Sequence, residues 1–170
     1  MKRLKVLKGL FIIGCICALF SCSHKSNIDY ISKDLRISFP DNLEYNLVDT
    51  HGGFHGDGEL LVTVNFDEKS RKNLLEDIKN NKSWNKLPLA LDLELLMYGG
   101  ERNGLTYSYK LAEDVGIPTI ENGYWLFIDR FNDINIIHDS KNIFDRGSFN
   151  FTLALFDTDN NVLYYYEFDT

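Results

Sequence analysis

Cysteine is confined to the first 22 residues of this 170-residue chain, where Cys15, Cys17 and Cys22 are the whole supply. From residue 23 onward no disulfide framework can form, and a cysteine nucleophile or cysteine-ligated zinc site is excluded. Proline is equally scarce, at Pro40, Pro88 and Pro118, and each falls at an apparent break between elements. Positive charge is in deficit: 18 Lys and Arg face 25 Asp and Glu, a net charge of -7. Setting aside Lys2, Arg3, Lys5 and Lys8 leaves 14 against 25, or -11. An acidic body with no basic stripe argues against nucleic acid as a partner, because phosphate contacts need clustered Lys and Arg. A G-x-S-x-G elbow, a P-loop and a G-x-G-x-x-G turn are all missing. What remains is a globular composition, 44% hydrophobic and 25% charged, which suits one domain with one core.

The four cations just set aside belong to a leader. Residues 1–8, MKRLKVLK, form a basic n-region, and residues 9–20, GLFIIGCICALF, an uncharged apolar run. Such a run has signal-peptide length and is too short for a spanning helix, which needs roughly 20 apolar residues. It leads into Leu19-Phe20-Ser21-Cys22. This tetrapeptide resembles the lipobox of bacterial lipoproteins, with an aliphatic residue at −3, a small one at −1 and cysteine at +1. Phe20 departs from the pattern, since small or β-branched residues are commoner at −2. The resemblance implies that the leader is cut before Cys22 and that the Cys22 thiol carries a diacylglyceryl group, often with a further acyl chain such as palmitate on the new amine. Two or three acyl chains anchor stably, at about 0.8 kcal/mol per buried CH₂. The expected organisation is a signal peptide over 1–21, a lipidated tether over 22–33 and a single globular domain over 34–170. The expected location is the cell envelope, on a membrane and facing away from the cytoplasm.

Within the body, residues 35–39 and 44–49 read as short strands. Residues 59–66 form a clearer one, with Leu60, Val62, Val64 and Phe66 on one face. Asp67 is placed to cap a helix beginning at Glu68, striped by Leu74, Leu75 and Ile78 and ended by Asn80-Asn81. Residues 89–95 alternate as a strand would. Pro88 at the start, Gly99 at the end and the lack of β-branched residues predict a helix instead. Residues 105–111 suggest a short strand. Residues 124–130, apolar on both faces, predict a central strand. Residues 149–156 and 162–168 flank Asp157-Thr158-Asp159-Asn160-Asn161 as a hairpin. The order β-β-β-α-α-β-β-β predicts an α+β class, with a mainly antiparallel sheet of about five to six strands and two helices on one face.

Four of the 12 glycines fall within residues 51–58, His-Gly-Gly-Phe-His-Gly-Asp-Gly. Glycine concentrates where φ must be positive or backbones approach closely. His51, His55 and Asp57 share this stretch, with Asp49 before it and Glu59 after. They are the candidate ligand-binding residues. A metal would find nitrogen and oxygen donors in the three, with a position left for water. The plainer reading is a turn between two strands, where Gly-Asp-Gly is ordinary chemistry, and His-x₃-His is a zinc spacing mainly on a helix. The Gly-rich stretch with the following Glu-Leu-Leu-Val-Thr-Val, and the closing residues 148–170, also resemble parts of small uncharacterised bacterial lipoproteins, a likeness that brings no activity with it. Asp157-x-Asp159-x-Asn161 opens like a calcium loop. Val162 at position six and Phe168 at position twelve break the pattern. Asp129-Arg130, His138-Asp139 and Asp145-Arg146 place charges around residues 130–147, and no spacing rule makes them a site.

The expected function is a membrane-anchored lipoprotein carrying a small non-catalytic binding or accessory domain. It needs no cofactor, and its partner is an envelope protein or small ligand. The alternative is a metal-assisted hydrolase using His51, His55 and Asp57.

Overall fold

The computed structural model describes residues 28–41, 43–52, 56–131, 136–137 and 143–170. The chain divides into two compact units, Met1–Phe39 and Pro40–Thr170.

In the first unit, residues 28–35 form helix α1. Arg36 takes a left-handed φ of 53°, and the Ile37 amide donates back to the Ser32 carbonyl at 3.1 Å. That is the six-to-one bond with which a helix commonly closes. Ser32 Oγ adds a 2.6 Å bond to the Ile37 carbonyl. Ile31 and Leu35, one turn apart, are both buried. Residues 35–39, expected as a strand, are not one: Leu35 belongs to the helix, Arg36 makes the turn that closes it and residues 37–39 carry no strand.

The second unit is built on one antiparallel sheet. Its strands are β1 (Tyr45–Asp49), β2 (Gly58–Asn65), β3 (Asn85–Lys86), β6 (Gly123–Asp129), β7 (Ile136–Ile137), β8 (Asn150–Asp157) and β9 (Val162–Asp169). The spatial order is β1-β2-β9-β8-β6-β3, with β7 also pairing β6. The last strand, β9, therefore lies in the middle, between β2 and β8. Between β3 and β6 stand a separate hairpin, β4 (Gly100–Arg102) with β5 (Leu105–Tyr107), and two short helices: α3 (Leu91–Tyr98) precedes that hairpin and α4 (Leu111–Val115) follows it. Helix α2 (Glu68–Asn80) joins β2 to β3. The α+β class and the antiparallel sheet thus stand as the sequence implies. The strand expected over 105–111 is present as the three residues of β5, and Leu111 begins α4 instead; the additions are α1, β4, α4 and the two short strands β3 and β7.

Helix α2 begins where expected: the Asp67 carboxylate accepts from the Ser70 amide at 2.8 Å, and Asn81 closes the other end. Residues 91–98 are helical, and the left-handed Gly99 (φ 73°) ends the helix. Asn103 and Gly104, at φ 54° and 78°, make the turn of the β4–β5 hairpin, where two positive φ values match strand twist.

Opposed residues on neighbouring strands share a face. On one face Trp125, Phe127, Phe151, Leu153, Leu155 and Tyr166 join Leu93, Leu96 and Met97 of α3 and Leu111 and Ala112 of α4 in one buried cluster. Tyr164 and Phe168 pack at its margin, so the alternate residues of β9 do line one face. The opposite face carries Val62, Val64, Ala154, Phe156, Leu163 and Tyr165, all buried. Among the described residues no helix is long and apolar enough to cross a membrane.

Candidate functional site

The sheet register brings five strand termini to one end. Gly58 of β2 and Asn150 of β8 both lie opposite Asp169 of β9, Asp49 of β1 lies opposite Leu60, and Asp129 of β6 lies opposite Phe151. The glycine-rich stretch is the β1–β2 connection. Its base is closed by Thr50, whose amide donates to the Glu59 carbonyl at 2.8 Å and whose hydroxyl accepts from the Glu59 amide at 2.9 Å. A Cβ on Gly58 would lie 2.5 Å from the His51 Cα, so the close approach of those two backbones requires glycine there.

That approach sets His51 between two carboxylates. Its Nδ1 lies 2.8 Å from Asp49 Oδ1, and its Nε2 lies 3.1 Å from Asp169 Oδ2. The His51 amide also donates to Asp49 Oδ1 at 3.0 Å. Asp169 Oδ2 accepts a further bond from Arg130 Nη2 at 3.0 Å, and the same nitrogen donates to the Phe151 carbonyl at 2.9 Å. A row Asp49–His51–Asp169–Arg130 thus alternates in charge sign across the strand ends. It is half-buried: the His51 side chain is 22% exposed and that of Asp169 18%.

The electrostatics follow from this geometry. Burial pulls the His51 pKa down, but the hydrogen bonds and charges of Asp49 and Asp169 outweigh it and hold it above the usual 6.5. The His51 amide, together with the imidazole, holds the Asp49 carboxyl below its usual range against a smaller effect of burial. Beside the row, Arg130 Nε, Asn150 Oδ1 and Thr152 Oγ1 are buried polar atoms with no protein hydrogen-bond partner.

A second charge pair sits on the other face of the same end. Arg146 grips Asp129 with both terminal nitrogens, at 2.7 and 2.5 Å. The two side chains are only 10% and 9% exposed. The Arg146 guanidinium lies 5.0 Å from the centre of the Phe131 ring, and the Phe131 amide donates to Asp129 at 3.0 Å. Next to it, Tyr166 donates to Glu59 Oε1 at 2.6 Å. Burial and that carboxylate drive the phenol's pKa far upward.

Of the candidate ligand-binding residues His51, His55 and Asp57, His51 is the one the structure joins to other side chains; Asp129, Arg130 and Arg146 of the charged 130–147 region are joined as well. Asp57 is exposed, and its carbonyl accepts from the Gly52 amide at 3.4 Å. His55 and Cys22 lie outside the described residues. With both ring nitrogens facing carboxylates, His51 offers no free lone pair to a cation in this arrangement. Among the described residues, no group of three or more His, Cys, Asp and Glu is placed to hold a metal ion. The residues that complete the row, Asp169 and Arg130, lie 118 and 79 positions from His51, so no local spacing announces them. The 157–161 stretch is a hairpin turn: Asp157 accepts from the Asp159 and Asn160 amides at 2.9 and 3.1 Å.

The aromatic residues form a chain of ring contacts that reaches this end at Phe149 and Phe168. It runs from Tyr107 to Phe144 (4.6 Å), Tyr109 (5.6 Å), Phe149 (5.6 Å) and Phe168 (6.0 Å). A shallow cavity of about 200 Å³ lies beside α3, walled by Leu87, Pro88, Leu89, Ile120 and Leu155. At the start of the ring chain Arg102 donates to both Asp92 and the Tyr107 hydroxyl, and Glu94 and Tyr98 also line the cavity. No family model, no curated protein and no solved structure matches this chain.

Proposed function

We propose that the protein is a lipoprotein anchored through Cys22, and that its α+β body is a non-catalytic binding or accessory module. Its contact surface is the strand end formed by Asp49, His51, Asp169 and Arg130 with the adjoining Thr50, Gly52, Gly56 and Asp57. The observation that carries this reading is the state of His51. An imidazole that works as a general base or a metal ligand needs an available lone pair. This one has each nitrogen turned to a carboxylate, at 2.8 and 3.1 Å. The arrangement fits a residue that holds a surface in shape. The partners it suits are an envelope protein or a small polar ligand that meets paired charges, with the exposed Gly52, Gly56 and Asp57 beside them. The excess of acidic residues speaks for a partner that is not a polyanion.

The test has two arms. In the first, Cys22→Ser is followed by labelled fatty-acid uptake and membrane fractionation; loss of both is expected, and a variant that keeps them overturns the anchor. In the second, a photo-crosslinking side chain is placed at Asp57 or, as a control, at the exposed Glu76 of α2. A discrete adduct from membranes at position 57 alone is expected. Equal adducts at both positions, or stoichiometric zinc or manganese lost on changing His51 and His55, would overturn the module in favour of the metal-assisted hydrolase.

A further inference from the structure

We infer that His51 is a pH-dependent strut: as an imidazolium it ties the end of β1 to the end of β9 by bridging Asp49 and Asp169, and on losing its proton it releases Asp169. A neutral imidazole has one N–H and one lone pair, whereas the imidazolium has two N–H groups. Here both nitrogens lie within hydrogen-bond distance of a carboxylate oxygen. A lone pair turned to a carboxylate is repulsive, so both contacts are favourable together only when both nitrogens carry a proton.

The surroundings decide which contact goes first. From β1, Asp49 faces the ring and also accepts the His51 amide at 3.0 Å, so it stays in place whatever the ring's charge. From β9, Asp169 faces the other nitrogen at the longer distance, 3.1 Å. From the residue after β6, Arg130 pairs with that same Asp169 oxygen at 3.0 Å; it satisfies Asp169 without His51 and, as a like charge, disfavours the imidazolium. Asp57 is the remaining charged group described in the 50–57 connection. The proton therefore stays on Nδ1 against Asp49, and Nε2 gives up Asp169. The inference goes beyond the binding reading and needs no ligand.

Long-range proton–nitrogen NMR of the full chain in detergent micelles, titrated from pH 5 to 10, reads charge and tautomer together. The expected His51 midpoint lies above the ordinary 6.5, with Nδ1 protonated and Nε2 bare beyond it. Asp169→Asn and Asp49→Asn should each lower the midpoint, and Asp49→Asn should move the remaining proton to Nε2. Either variant alone suffices if the other fails to fold. A midpoint at or below 6.5, a proton on Nε2 in the unaltered protein, or a midpoint insensitive to both variants overturns the strut. So does displacement of the His51 resonances at pH 6 by equimolar zinc, which would make the residue a metal ligand.

Discussion

The two ends of the sheet use carboxylates in opposite ways. At the end where β8 turns into β9, Asp157 is buried and is satisfied by its sequence neighbours: the amides of Asp159 and Asn160 and, at 2.7 Å, the Asn160 side chain. At the other end, Asp169 is satisfied by His51 and Arg130, 118 and 39 positions away. Each end has one glycine forced by crowding. A Cβ on Gly123 would lie 2.0 Å from the Phe156 carbonyl oxygen, and one on Gly58 2.5 Å from the His51 Cα. The first end is a local device that makes a turn. The second assembles only when the sheet has formed, keeps its charges at a half-exposed surface and responds to pH. Such a non-local cluster of titratable groups is where function is to be sought.

The contrast can be broken by removing what the two ends share. Deleting residues 160–170 takes out β9, the strand between β2 and β8, with the fully buried Tyr165 and Tyr166. Loss of any cooperative transition by circular dichroism is expected; an unchanged melting temperature would refute the central placement of β9. Arg146→Ala leaves the buried Asp129 carboxylate without its guanidinium and should cost about 3–5 kcal/mol in urea unfolding. A smaller loss in the Arg146→Ala, Asp129→Asn double variant is expected, because the stranded charge is then gone. Asp157→Ala should cost about 1–3 kcal/mol, since the Asp159 and Asn160 amides and the Asn160 side chain lose a charged acceptor. A loss under 0.5 kcal/mol would show that water serves those amides equally well.

What the sequence made legible follows the same division. Asp67 with Glu68 marks the start of α2, and the polar 157–161 stretch marks the β8–β9 turn, because each signal is complete within a few residues. The type I′ pair Asn103-Gly104 is as local; of its two three-residue strands, the second falls within the strand expected over 105–111, and the first is too short for alternation to show. The five residues of α4 are likewise too few for a helical period. Ile28, Ile31 and Leu35 do carry helical spacing, yet a stretch read as a tether hides it. At the candidate site, glycine density exposes the 51–58 connection, and His51 with it. Arg130 and Asp169 emerge only from the register that sets Gly58 and Asn150 opposite Asp169. That register is a property of strand order, which no single segment encodes.

The smallest expected effect sharpens the comparison most. Gln at position 51 keeps polar atoms near both carboxylates but cannot carry a proton charge. Asp49 is about half exposed, 49%, so solvent screens part of the interaction, and His51→Gln should cost only about 0.5–1 kcal/mol. The dependence on pH is more telling than the size. The folded-state pKa of His51 is raised above its ordinary 6.5, so its contribution is full below pH 6.5 and is lost as pH rises through the folded value. The Asp49 pKa is lowered from 3.8, so that carboxylate contributes above its ordinary value and fails as pH falls through the folded one. The gap between the unaltered protein and His51→Gln should therefore be widest near pH 5–6 and close by pH 9–10 in parallel urea titrations. A gap that keeps its width to pH 10 would mean that the folded protein holds a neutral imidazole and that this end of the sheet is as insensitive to protons as a turn.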